Sequence, residues 1–308
     1  VTSNSDKPYE YVKIHHARWN LIDMIHFVAR PSVPATLFYD IDMSWSEALR
    51  KRYNDAGQKV SITAILVKAI AIAQRNHPTT RTVWLPNSKL LQLNRIEAQF
   101  TVERFIDDQP ALFFGAVKKP DTKPIIEISK ELQSYATDPI ESVPQMEIEH
   151  RFSKFPWYIR QIVIFVGMRI PRIRLEYMGA TFGVSSLGKY GCRNMISPSV
   201  ITSMFCVGEV KDRPVAVDGK VVIQPILSLV LNFDHRVIDG AAAARFVTDI
   251  IKLLQGGLEE YVKDEVNSLA SNTQNLDSQN LDSQNSDSQN LDSQNSDAKD
   301  SKSLASKP

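Results

Sequence analysis

Leu37, Tyr39, Ile41 and Met43 alternate with Phe38, Asp40 and Asp42. A period of two with one apolar face predicts a half-buried strand, Phe38 being the exception. Ser44 then predicts a helix N-cap, with Glu47 as its capping-box partner, and the helix runs to Asn54 before Ala56-Gly57 breaks it. From Ser61 or Thr63, the residues Ile62, Ile65, Leu66, Ala69, Ile72 and Ala73 recur on one helical face until Pro78 ends the run. Ile96–Phe105 and Ala111–Val117 predict strands, Lys118–Pro124 a charged turn, and Ile128–Ser134 a short helix or the start of one. Val210–Val222 predicts a hairpin that turns at Val217-Asp218-Gly219-Lys220. Pro225–Phe233 is too apolar to alternate, which predicts a strand covered on both faces. Beyond Gly240, Phe246, Val247, Ile250, Leu253 and Leu254 return to helical spacing, and Gly256-Gly257 closes that helix. Strands and helices intermix and several strand pairs are antiparallel. The pattern therefore predicts one α+β domain with a mixed sheet rather than a doubly wound one.

Three stretches fall outside this pattern. Val1–Pro8 is polar and predicts a flexible N-terminus without the apolar core of a secretory signal. Past Val266, Asn275-Leu276-Asp277-Ser278-Gln279 begins a run of near-identical pentapeptides. One small apolar residue per repeat does not offset the entropy of ordering the rest, so 267–308 is expected to be a disordered tail. In the third stretch, Phe155–Arg174, the apolar run Ile162–Met168 is far too short to span a bilayer and is flanked by Arg160, Arg169, Arg172 and Arg174. The expected structure is a core-packing or lid helix whose arginines face water. The alternative is an interfacial helix with a basic rim.

Composition narrows the function classes. The formal net charge of +1 gives no global bias toward nucleic acid or an anionic membrane. No Gly-x-Gly-x-x-Gly and no phosphate-binding Gly-Lys-Ser/Thr loop is present, which argues against nucleotide-binding enzymes of those classes. Cys192 and Cys206 have neither metal-ligand spacing nor a disulfide framework, so a reducing cytoplasm and no metal are expected.

The densest chemistry lies at the end of the apolar strand, in Asp234-His235-Arg236-Val237-Ile238-Asp239-Gly240. A lone histidine at a strand end is commonly a hydrogen-bonded structural residue. Here three further ionisable groups crowd it, and charges at the end of an apolar strand are costly unless paired. Such clusters tune functional groups, although a structural ion-pair network looks the same in sequence.

This run resembles the active-site signature of the dihydrolipoamide acyltransferases, the E2 catalytic domains of 2-oxo acid dehydrogenase complexes and relatives of chloramphenicol acetyltransferase. Thr181-Phe182-Gly183-Val184-Ser185-Ser186-Leu187-Gly188 resembles the family's Phe-Thr-Ile-Ser-x-Leu-Gly stretch, with Gly183 in place of the threonine. Ile65–Pro78, ending in Asn76-His77-Pro78, is a weaker match to a family helix. The resemblance runs over 9–266 and implies a chloramphenicol acetyltransferase-like mixed β-sheet with flanking helices. It makes His235 the general base, Ser185 the donor to the oxyanion, and Asp239 an orienting group, with Arg18 as a candidate ion-pair partner. Asp239 equally suits an N-cap of the following helix. Gly240 is expected to allow close backbone approach, and Gly188 to shape the turn after the serine.

By the same resemblance the substrates are a coenzyme A thioester and either a dihydrolipoyl group or a small amine or alcohol. The assembly is a homotrimer or larger, with each site shared between subunits. No Asp-Lys-Ala lipoylation context is present, so the chain is expected either to be a stand-alone acyltransferase or to use a lipoyl domain that belongs to another chain or was cut away. The segment 153–175 is expected to be an insertion relative to the family. Two other functions remain open: a non-catalytic trimeric scaffold of the same fold, and a membrane-associated acyltransferase anchored by Phe155–Arg174.

Overall fold

The structure is a computed structural model that describes residues 14–28, 33–85, 89–167, 170, 179–197 and 201–268. Its frame is a six-stranded mixed sheet. The strands are β1 (Pro34–Asp42), β4 (Glu97–Ile106), β5 (Gln109–Lys118), β6 (Phe182–Ser186), β7 (Ser203–Val217) and β8 (Lys220–Asp234). They lie in the order β1-β8-β7-β6-β4-β5, with a separate pair of β2 (Thr82–Leu85) and β3 (Lys89–Gln92). β6 runs parallel to both β4 and β7, and the remaining neighbours are antiparallel. The expected mixed sheet is therefore present.

The hairpin and the apolar strand predicted separately form one ladder. β7 and β8 pair from Ser203↔Phe233 to Val217↔Lys220, around a turn in which Asp218 and Gly219 both take positive φ. β8 continues through Pro225, which has no N–H to donate. The carbonyl of Pro225 instead accepts from Met43 N at 2.9 Å, at the end of β1.

Helices cover one face. α2 (Ser44–Asp55), α3 (Ile62–Asn76), α4 (Ile125–Thr137) and α7 (Gly240–Lys252) pack there. α3 sits deepest, with Ala64 to Gln74 buried without a break. Its N-cap is Ser61, whose hydroxyl accepts from Ala64 N at 3.1 Å. Lys68 is tolerated in this helix because its ammonium donates to the carbonyls of Asp121 (3.0 Å) and Lys123 (2.7 Å). The cap expected at Ser44 is not formed. Asp42 Oδ1 takes both the Ser44 amide and hydroxyl, so Met43 stands at the cap position without a side-chain bond, and Glu47 pairs with Arg50.

Gly256, at φ +133°, breaks the helix after α7 as predicted. A further helical stretch, 259–268, carries the domain slightly past Val266, and Val262 is fully buried within it. Glu265 accepts from Tyr53 Oη (2.8 Å) and Ile125 N (2.9 Å), tying this stretch to α2 and the start of α4. The flexible N-terminus and the repeat tail beyond 268 lie outside the described residues.

The other correction concerns the segment after α5 (Pro144–Ser153). α6 (Trp157–Gly167) does not turn its arginine to water. Arg160 is 2% exposed and paired with Asp23 of α1 (Trp19–Val28), Nε to Oδ2 at 2.6 Å. The apolar side chains face out instead. The flanking Arg169, Arg172 and Arg174 lie outside the described residues.

Candidate active site

Ser185 is the fourth residue of β6. Phe182 and Val184 point into the helix-covered core, so the period of two turns Ser185 to the other face, beside Cys206 of β7. It is 7% exposed. Its oxygen accepts from Thr101 Oγ1 of β4 at 3.2 Å, which leaves its own proton for a further acceptor. Sequence reading missed Thr101, and no local signal marks it, since it lies 84 residues from the serine. A cavity of about 490 Å³ reaches Thr101, Val184 and Ser186 and extends to Arg50, Lys59 and Ser129. It does not reach His235.

The strand that carries Ser185 is fixed at its start. Thr181 Oγ1 donates to Gln74 Oε1 of α3 at 2.7 Å and accepts from Glu97 N of β4 at 3.1 Å. Gly183 has a steric cause. A Cβ there would lie 2.4 Å from Met204 Sδ, so the methionine fills the space a threonine side chain would take. Gly188 is also sterically required, since a Cβ would come within 2.7 Å of the Gly208 carbonyl oxygen. Gly240 shows no such approach. Nothing in the chain lies within 4 Å of a Cβ at that position, so the close contact expected there is absent within one chain.

His235 stands in the turn directly after β8. It is exposed, its amide donates to the Val33 carbonyl at 2.8 Å, and its ring lies 5.7 Å from that of Phe233. The turn is held by its neighbours. Arg236 Nε donates to Asp234 Oδ1 at 2.9 Å, and its guanidinium sits 5.0 Å above the Trp84 ring. Asp234 and Arg236 are thus a structural ion pair that shapes the turn. Asp239 is the N-cap residue of α7, but its carboxylate makes no capping bond. The helix that follows is tied to the end of α3 by His77 Nε2 and Asp249 Oδ2, 2.9 Å apart. This contact accounts for the Asn76-His77-Pro78 segment, and the bond to His77 is the main cause of the lowered Asp249 pKa.

The register separates the two groups. Ser185 lies opposite Cys206, and Cys206 opposite Val230. His235 is five residues further along the β8 direction. At about 3.4 Å per residue and about 4.8 Å per strand, hydroxyl and imidazole stand roughly 20 Å apart in one chain. Arg18 is further removed. It belongs to a short helical turn, His16–Arg18, that packs on β5, at the other edge of the sheet from β1 and β8. The expected pairing with Asp239 is not made within the chain.

Among the described residues one group has metal-ligand geometry, His15, His16 and Asp107, with ligand atoms within 4.8 Å of one another. Asp107 is in the β4–β5 turn, at the end of the sheet away from His235. His15 Nε2 lies 3.6 Å from Asp107 Oδ2.

The family model of the 2-oxoacid dehydrogenases acyltransferase (catalytic domain) matches residues 6–142 and 172–260. The chain belongs to this family. Its match to the family breaks across 143–171, the segment that holds α5 and α6. The chain is 26% identical over 267 residues to the dihydrolipoyllysine-residue succinyltransferase component of the mitochondrial 2-oxoglutarate dehydrogenase complex of Saccharomyces cerevisiae, covering 83% of this chain and 50% of that protein. It is also 26% identical over 227 residues to the dihydrolipoyllysine-residue acetyltransferase component of the pyruvate dehydrogenase complex of Bacillus subtilis, covering 71% and 44%. The chain thus spans about half the length of the curated relatives it matches. A crystal structure of the Azotobacter vinelandii dihydrolipoamide acetyltransferase, described as probing a serine, a histidine and an asparagine in its catalytic mechanism, shares the fold. Its TM-score is 0.61 at 23% identity, over 80% of this chain and 92% of that one.

Proposed function

We propose that this chain is a coenzyme A-dependent acyltransferase whose active site forms between two copies, His235 from one and Ser185 from the next. The observation that carries this reading is the separation of the two groups. One chain holds the hydroxyl and the imidazole of the family's two motifs, yet stands them roughly 20 Å apart along the sheet. A homotrimer or a larger assembly built from trimers supplies the missing partner at each interface.

The donor is an acyl-CoA, and the acceptor is a dihydrolipoyl thiol or a small amine or alcohol. His235 takes the proton from the acceptor as it attacks the thioester carbonyl. The hydroxyl of Ser185 donates to the oxyanion of the tetrahedral intermediate, and Thr101 holds that hydroxyl in place. Collapse breaks the carbon–sulfur bond, and the departing CoA thiolate recovers the proton from the imidazolium. No acyl-enzyme forms, so no nucleophilic cysteine is needed. Burial pushes the Cys206 thiol above its ordinary range, away from thiolate chemistry. The carboxylate of Asp239, not used as a cap, orients groups across the interface.

Thiol release from a series of acyl-CoAs, with dihydrolipoamide and a panel of amines and alcohols as acceptors, tests the reading. Acceptor-dependent release is expected, and His235→Ala should lower it by about two to four orders of magnitude while the exposed site leaves the fold intact. Absence of turnover for every pair, or normal turnover in the variant, contradicts the proposal.

A further inference from the structure

α6 is built inside out. Arg160 and Ile164 lie on its inner side, while Tyr158, Ile162, Val163 and Val166 are outward and each at least 46% exposed. Trp157, at the helix start, and Phe155 before it extend the exposed apolar surface. A helix normally buries its apolar face and leaves arginine in water. Here the orientation is pinned by a specific set of bonds. Asp23 accepts from Arg160 Nε at 2.6 Å and from Gln161 Nε2 at 2.7 Å. Arg160 also donates to the Phe155 carbonyl and lies 4.6 Å over the Trp19 ring. Rotating the helix to hide its apolar face would strip a buried ion pair, so the outward face is fixed.

Three observations identify what covers it. The segment lies in the gap of the family match, 143–171, so it is not part of the surface shared by family members. No acidic residue occurs between Glu149 and Glu176, whereas Lys154, Arg169, Arg172 and Arg174 bracket the apolar stretch. Tryptophan and tyrosine stand together at the helix start, the pair of side chains enriched where hydrocarbon meets water. An apolar face, a flanking sequence that is basic and free of acidic residues, and an aromatic end together match an anionic lipid surface. At eleven residues α6 is about 16 Å long, too short to cross a bilayer, and among the described residues no helix is long and apolar enough to do so. We infer that α6 is an interfacial helix that docks this protein on the surface of an anionic membrane.

Co-sedimentation of the full chain with vesicles tests this without reference to turnover, so its outcome is independent of the acyltransferase reading. Vesicles of phosphatidylcholine mixed with phosphatidylserine should carry the protein down, phosphatidylcholine alone should carry far less, and salt should weaken the binding. The triple variant Ile162→Gln, Val163→Gln, Val166→Gln removes apolar surface at exposed positions. It should lower vesicle binding at least about tenfold while assembly mass by light scattering and melting temperature stay unchanged. The inference is overturned if the parent binds neither vesicle or both equally, or if the variant sediments like the parent. It is also overturned if the variant loses assembly mass, which would make a second copy of this chain the occupant of the face.

Discussion

Ser185 and His235 are carried by the same sheet in opposite settings. Ser185 is within its strand, one residue from its end, buried, and hydrogen-bonded by Thr101 of the next strand. His235 has left its strand and stands exposed in a turn held by the Asp234–Arg236 pair. On the proposed roles, the difference is that between a group that must not move and one that must be met. An oxyanion donor works through preorganisation, which strand packing supplies. A base has to reach a proton on an incoming molecule, and a side chain at a strand end is able to face a second subunit. On the proposed reading, the roughly 20 Å between them means that each chain supplies half of two different sites.

The sharpest single test of the buried half is Ser185→Ala. It should lower kcat by about 10²–10³ with little change in KM, because the bond strengthens as charge develops on the oxygen. An unchanged kcat would leave Ser185 as a strand residue only.

Gly183→Thr, which restores the family residue, should destabilise the fold by about 1–3 kcal/mol in denaturant unfolding, since the new side chain meets Met204. Adding Met204→Ala should recover part of that loss. Equal stability of Gly183→Thr and parent would show that Met204 does not decide the residue at 183.

The smallest effect is expected from Thr101→Val, which removes one neutral hydrogen bond to the serine. A fall in kcat of roughly fivefold, with KM and melting temperature near parent values, fits about 1 kcal/mol for such a bond. A loss as large as that of Ser185→Ala would give Thr101 a direct part in the chemistry.

Much of this was legible in the sequence. The unbroken apolar run of β8 and the helical spacing after Gly240 fixed where His235 and Asp239 stand, because local patterning decides those elements. Of the two starts the sequence offered for α3, Ser61 and Thr63, it is Ser61 that caps the helix. Ser44 does not cap α2: its amide and hydroxyl both donate to Asp42 Oδ1, and Met43 takes the cap position. The orientation of α6 was hidden, since its determinant, Asp23, lies 137 residues from Arg160. Thr101 was hidden for the same reason. The separation of Ser185 from His235 is a matter of strand register, which hydrophobic patterning alone does not encode for parallel neighbours joined by long connections.

The central claim is that every working site takes His235 from one chain and Ser185 from another. Co-expressing His235→Ala and Ser185→Ala chains, each nearly inactive alone, and confirming mixed assemblies by mass tests it directly. Thiol release should recover to a substantial fraction of the parent rate, because some interfaces then bring an intact His235 to an intact Ser185. If confirmed mixed assemblies remain as inactive as the single variants, the two groups do not meet between chains and the shared site is wrong.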